Sequence, residues 1–188
     1  MFLNEKGRTS VKNDGLMPSA LSGPVLDFLM PKITLLGNGG AIWILAALIL
    51  LCTKKYCRQG ILLLVGLIAG VLVGNACLKN LIARPRPCWL DSSVQLLIAN
   101  PADYSFPSGH TLSSVIGATG LTKTNRRFGY AAIPLAALIA FSRLYLYVHF
   151  PSDVLAAAVL GVALGELVWR CGGKLLERWH APRGRQRA

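Results

Sequence analysis

The chain has 188 residues, 53% of them hydrophobic and only 15% charged, and its mean hydropathy is +0.49. These figures exclude an ordinary soluble domain and point to a polytopic membrane protein. The formal charge of +12 flanks the apolar runs, which argues for topology signals and anionic headgroups rather than nucleic acid.

Residues 1–19 are polar, lack the apolar core of a secretory signal peptide, and predict a disordered tail. Met17 is an alternative start, which would make the first sixteen residues dispensable. The stretch LSGPVLDFLMPKITLL, 21–36, is apolar but broken by Pro24, Asp27, Pro31 and Lys32. It predicts an amphipathic interfacial helix, with a short irregular span as the alternative. GNGG punctuates the chain at 37–40.

Five spans are expected next, at 41–52, 61–78, 110–122, 129–148 and 154–169. The third is short and rich in small residues, which suits the inside of a bundle. Pro134 is tolerable in the fourth. The expected fold is therefore all-α: five transmembrane helices plus an N-terminal amphipathic or short sixth helix. Residues 20–172 form the membrane domain, and 173–188 a basic cytoplasmic tail. Gly66, Gly70 and Gly74 form a small-residue stripe that predicts close helix packing. Trp43, Trp89 and Trp169 near span ends are expected as interfacial anchors. The five cysteines show no metal spacing and no disulfide framework. Glu166 is expected to face protein or lie near the cytoplasmic interface, without an assigned role.

Lys54, Lys55 and Arg58 follow the first span, and Lys123, Arg126 and Arg127 follow the third. With the basic tail, these residues share one side of a five-span chain, which the positive-inside rule makes cytoplasmic. The loops 79–109 and 149–153 then face outward. They carry cations against the rule, so those cations are expected to have another task.

Three blocks meet at that outer face: KNLIARPRP (79–87), FPSGH (106–110) and SRLYLYVHFPSD (142–153). Lys79, Arg84, Arg86 and Arg143, with the amides at Ser108 and Gly109 where a helix begins, favour a polyoxygen anion such as phosphate. His110 and His149 beside a bound phosphate suggest phosphoryl transfer, one imidazole attacking phosphorus and the other protonating the leaving oxygen. Asp153 is placed to orient the attacking imidazole. Arginine and lysine can neutralise the transition-state charge, so no metal and no cofactor is required. Each residue alone has a plainer reading: Ser108 as a helix cap, Asp153 as a helix N-terminal acid, Lys79 as a snorkelling cation.

The spacing Lys79–six residues–Arg86–Pro87, then Pro107–Ser108–Gly109–His110, then Ser142–Arg143–five residues–His149–three residues–Asp153, resembles the three-part signature of the type 2 phosphatidic acid phosphatase superfamily. All three parts are present in order, and the resemblance runs from about residue 33 to 170. It implies a membrane lipid phosphatase with His149 as the nucleophile that becomes a phosphohistidine, His110 as general acid and Asp153 orienting His149. Lys79, Arg86, Ser108, Gly109 and Arg143 would hold the phosphate oxygens. Arg84, outside the signature, is an expected second phosphate contact. Many members have six spans, and here the first is missing or reduced to 21–36. Similarity to short bacterial members implies undecaprenyl diphosphate as the lipid, with phosphatidylglycerophosphate and phosphatidic acid as rivals. A lipid phosphotransferase and a non-catalytic binder or transporter are the other readings. The expected location is the cell membrane, multi-pass, with the site extracytoplasmic.

Overall fold

The structure, a computed structural model, describes residues 23–91 and 93–180. The expected tail at 1–19 and the last part of the basic tail, 181–188, lie outside the described residues. Among the described residues the chain is helical, with no strand. Helix α1 spans Pro24–Leu36, and α2 spans Ala41–Cys52 after a 3₁₀ turn at Asn38–Gly40. Helix α3 (Cys57–Gly70) widens into a π-helical stretch, Val71–Leu78, and ends in α4 (Lys79–Ile82). The short α5 (Pro87–Leu90) and a long loop lead to α6 (Gly109–Thr124), α7 (Arg126–Tyr145) and α8 (Pro151–His180).

Three stretches are long and apolar enough to cross a membrane: Cys57–Leu90, Arg126–Tyr145 and Pro151–Leu175. The α1–α2 pair, bent by 44°, makes a fourth if taken as one broken span. Helix α6, with 16 residues, is shorter than these. It lies at the centre, against α2, α3, α7 and α8, as its small residues predict. Lipid gives little hydrophobic drive for helix association, so close contact must do the work. The glycine stripe supplies it. A Cβ on Gly70 would lie 2.6 Å from Ile116, and one on Gly74 would lie 2.3 Å from Leu112, so α6 seats two large side chains where α3 has none.

Trp43 differs from the expected interfacial anchor. It is 1% exposed, and its indole N–H donates to Ser114 Oγ at 3.0 Å. The ring fills the notch at Gly117, where a Cβ would come within 2.4 Å of it. A buried indole needs a polar partner, and α6 provides one. Trp89 is half-exposed and hydrogen-bonds Asn100 and Pro101 in the long loop. At the end of the bundle opposite the three blocks, Glu166 pairs with Lys123 at 2.7 Å and with Arg170 at 3.3 Å, tying α6 to α8.

Helix α1, expected as an amphipathic interfacial helix or a short span, packs on α7. Asp27 accepts from the Tyr145 hydroxyl at 2.6 Å, Thr34 meets Arg143, and Gly37 lies against Ile139. Helix α1 therefore runs antiparallel to α7. The fourth predicted span, 129–148, is displaced by three residues, with α7 at Arg126–Tyr145. Helix α7 stops at Tyr145, and Tyr147 takes φ +57°. That turn brings His149 round to face the bundle.

Candidate active site

The helix tips that carry the three blocks converge at one end of the bundle. Lys79 ends the α3–α4 rod, His110 opens α6, Arg143 lies in the last turn of α7 and Asp153 in the first turn of α8. Lys79, Arg86, Gly109, His110, Arg143 and His149 line a single cavity of about 690 Å³. Its polar end is these side chains. One further wall is hydrocarbon, with Ile44 on α2 and Leu64, Leu67, Ile68, Val71 and Leu72 on α3 and the π-helical stretch. Ile44, Ile68, Val71 and Leu72 are also exposed on the outside of the bundle, so this apolar wall is continuous with the lipid-facing surface.

His149 is buried between two opposed sets of groups. A guanidinium nitrogen of Arg86 lies 3.2 Å from Nε2. Guanidinium has no lone pair to offer, so Nε2 must be the acceptor and the ring proton sits on Nδ1. Nδ1 faces Ser105 Oγ at 3.3 Å and Asp153 Oδ2 at 3.7 Å. The second distance is too long for a hydrogen bond. The Ser105 hydroxyl donates to Asp153 Oδ2 at 2.5 Å, and its lone pair accepts from Nδ1. The relay therefore runs from imidazole through serine to carboxylate. Asp153 accepts two further bonds, from the Phe150 amide at 2.9 Å and from Arg84 at 2.7 Å. Burial lowers the His149 pKa to about 4, against the pull of the nearby Asp153 carboxylate and with help from the Arg86 charge. The imidazole is thus neutral at neutral pH, as a nucleophile must be.

The cations are held differently from one another. Arg86 is held from several sides: it donates to the Asp103 carbonyl at 2.6 Å, to the Asp103 carboxylate at 2.7 Å and to the Val148 carbonyl at 2.7 Å. Lys79 also pairs with the Asp103 carboxylate. Burial would raise the pKa of Asp103, but bonds and charge from Lys79 and Arg86 outweigh it and hold the group at about 2. Asp103 is therefore an internal anion at the mouth of the cup, its side chain 56% exposed. Arg143 is 4% exposed and donates to Thr34 Oγ1 at 2.7 Å, while its Nε has no hydrogen-bond partner among the described residues. A buried guanidinium donor left free is costly unless an anion meets it.

Some expected site residues stand elsewhere. Ser108 is buried and does not line the cavity; its Oγ accepts from the Thr111 amide and hydroxyl, the N-cap arrangement that is its plainer reading. Arg84, expected as a second phosphate contact, also lies outside the lining. It donates to Ser152 and Asp153 and stacks on Phe150 at 4.0 Å. Asp153 needs that outer cation because its carboxylate is wholly buried. His110 lines the cavity with Nε2 2.8 Å from Asn38 Oδ1. Ser105, Asp103, Asn38, Thr34 and Asn75 were not singled out by the sequence. Asn75, in the cavity wall, lies where a Cβ on Gly109 would meet it at 3.0 Å. One available signal was Asp103, one of two acids between the first two blocks.

The PAP2 superfamily model matches residues 59–177, and the chain belongs to that superfamily. Over 121 residues it is 35% identical to an undecaprenyl-diphosphatase of Sulfolobus acidocaldarius, a match covering 64% of this chain and 58% of the relative's length. The PAP2-type phosphatidylglycerolphosphate phosphatase of Bacillus subtilis superposes with a TM-score of 0.67 at 28% identity, over 83% of this chain and 81% of that one. LpxE of Aquifex aeolicus superposes with a TM-score of 0.70, also at 28% identity, over 80% and 89%. With its apolar helices, this makes the chain a multi-pass membrane protein.

Proposed function

We propose that the protein is a lipid phosphate or diphosphate phosphatase that works through a phosphohistidine on His149, without a metal, at the extracytoplasmic face of the cell membrane. The observation that carries this reading is the cavity itself. It joins a cup of buried cations and two imidazoles to a hydrocarbon wall open toward lipid. An amphiphile whose phosphate enters the cup while its chain stays along α2 and α3 fits that shape. The outward orientation rests on the basic segments Lys54–Arg58 and Lys123–Arg127, which lie at the opposite end of the helices.

In the proposed reaction the phosphate lies against Lys79, Arg86 and the free Nε of Arg143. His149 Nε2 attacks phosphorus, and the P–O bond to the leaving group breaks. His110, doubly protonated at this stage, gives its Nε2 proton to the departing oxygen and is left as neutral imidazole. The Nδ1 proton of His149 remains on the Ser105–Asp153 relay, which stabilises the positive charge on the phosphorylated ring. Water then attacks phosphorus and gives a proton to His110, the P–N bond breaks, and inorganic phosphate leaves. The net change is hydrolysis of one phosphoester or phosphoanhydride.

Undecaprenyl diphosphate is the proposed lipid, on the identity to the Sulfolobus acidocaldarius relative. Phosphatidylglycerophosphate is the second reading, favoured by the likeness to the Bacillus subtilis structure. The test is phosphate release by purified protein on a panel of both lipids and phosphatidic acid, in excess EDTA, with His149→Ala as control. Turnover by the wild type and none by the variant, with a phosphoenzyme trapped only in the wild type, is expected. Loss of activity in EDTA, or turnover by His149→Ala, would overturn the mechanism.

A further inference from the structure

Asn38 belongs to none of the three blocks and lies outside the residues that match the superfamily model. Its side chain nevertheless meets His110, Oδ1 to Nε2 at 2.8 Å. The elbow between α1 and α2 is built to allow this. Gly39 and Gly40 take φ of +58° and +73°, a region that side chains disfavour, and they turn the chain there. Gly37 lies so close that a Cβ would be 2.8 Å from His110 Cδ2 and 2.9 Å from Ile139 Cγ2. One turn earlier, Thr34 of the same segment accepts from Arg143. The elbow thus props two residues of the cup from a part of the chain that carries no signature.

We propose that Asn38 is a positioning residue for the proton donor of the reaction. Its amide oxygen accepts the Nε2–H of His110, turns the ring toward the cavity and keeps the proton on the nitrogen that meets the leaving oxygen. This rests on the reading of His110 as general acid. When the P–O bond breaks, the Nε2 proton passes from its bond with Asn38 to the leaving oxygen. When water later gives a proton back to Nε2, the bond to Asn38 re-forms. Among the described residues, the bond to Asn38 is the hydrogen bond that the His110 ring makes.

A role through the acid has a signature that a structural role lacks. Phosphatidic acid releases an alkoxide that must be protonated, whereas p-nitrophenyl phosphate releases a nitrophenolate that need not be. General acid catalysis contributes about 10²–10⁴-fold where it is needed, and misplacing a catalytic group can cost about 10²-fold. In wild type, Asn38→Ala, Gly37→Ala and His110→Ala, kcat is measured on both substrates in one detergent. Asn38→Ala is expected to lose about ten- to a hundredfold on phosphatidic acid, and at least tenfold less on p-nitrophenyl phosphate. Gly37→Ala, which pushes the elbow off the ring, should show the same asymmetry, and Asn38→Asp, which keeps an acceptor, should recover kcat on phosphatidic acid. Equal losses on both substrates would mean a phosphate contact or a general defect and would overturn the proposal, as would no loss at all. Equal losses in His110→Ala would overturn the acid assignment itself, and the role of Asn38 with it. Asymmetry in His110→Ala without asymmetry in Asn38→Ala would overturn only the latter.

Discussion

Replacing Ser105 by alanine separates alignment from charge in the activation of His149. The hydroxyl is wholly buried and makes two bonds, one to Nδ1 of His149 and one to the Asp153 carboxylate. Without it the imidazole and carboxylate face each other across 3.7 Å with nothing between them. Their attraction once the ring is charged survives: at that distance and an effective dielectric of about 20 it is about 4 kcal/mol. What is lost is orientation, plus a partner for a buried N–H, about 1–3 kcal/mol. Ser105→Ala should therefore lower kcat about ten- to a hundredfold, while Asp153→Asn, which removes the charge, should lower it by about 10³-fold or more. Thermal unfolding in detergent should show Ser105→Ala destabilised by only a few degrees, because Asp153 keeps its bonds to Arg84 and the Phe150 amide. The assay is single-turnover phosphoenzyme formation, which isolates the His149 step. Wild-type rates in Ser105→Ala would refute the relay. Rates as low as those of Asp153→Asn would refute the separate electrostatic contribution.

Asp103→Asn removes the carboxylate that competes with phosphate for Lys79 and Arg86, so the inhibition constant for inorganic phosphate should fall about tenfold in steady-state assays. With a folded pKa of about 4 against an ordinary 6.5, His149 binds fewer protons folded than unfolded between those values. Its contribution to stability is complete above about pH 6.5 and is lost as pH falls through about 4; histidine NMR titration, assigned with His149→Ala, should place its midpoint near 4. Gly117→Ala drives a methyl to within 2.4 Å of the rigid Trp43 ring and should destabilise the protein by about 1–3 kcal/mol, read as a lower unfolding temperature in detergent.

The blocks around His110, His149 and Asp153 are legible in one dimension because each sits at a helix end, where a few residues converge on one cavity. Helical rise and short turns then dictate the spacing. Lys79 and Arg86 are separated by a helix end and a Pro-rich turn for the same reason. The central place of α6 was likewise legible, since a segment of small residues is of little use except against neighbours. Trp43 was not. Its side of α2 is apolar all round, and only the notch at Gly117 and the hydroxyl of Ser114, more than seventy residues away, decide that it points inward. The end of α7 was missed because YLYV continues an apolar pattern through Tyr147, where the backbone turns.

On the proposed reading, the groups that contact phosphate and the groups that hold them in place are encoded differently. Phosphate contacts must reach a point about 3 Å away from several directions, so both residue type and position are constrained. Ser105, Asp103, Thr34 and Asn38 need only offer one acceptor or one charge to a neighbour, and many sequences can place such a group. Their loops carry no period and no residue pattern that distinguishes them from solvated turns. Yet the electrostatics depend on them: Asp103 compensates two buried cations, Ser105 spans a gap too wide for a direct bond, and Thr34 anchors Arg143 while leaving its Nε without a partner among the described residues. A cup with the three blocks but without these partners would bury its cations unpaired, at several kcal/mol each. The elbow and the long loop are therefore as much a condition of the chemistry as the two imidazoles.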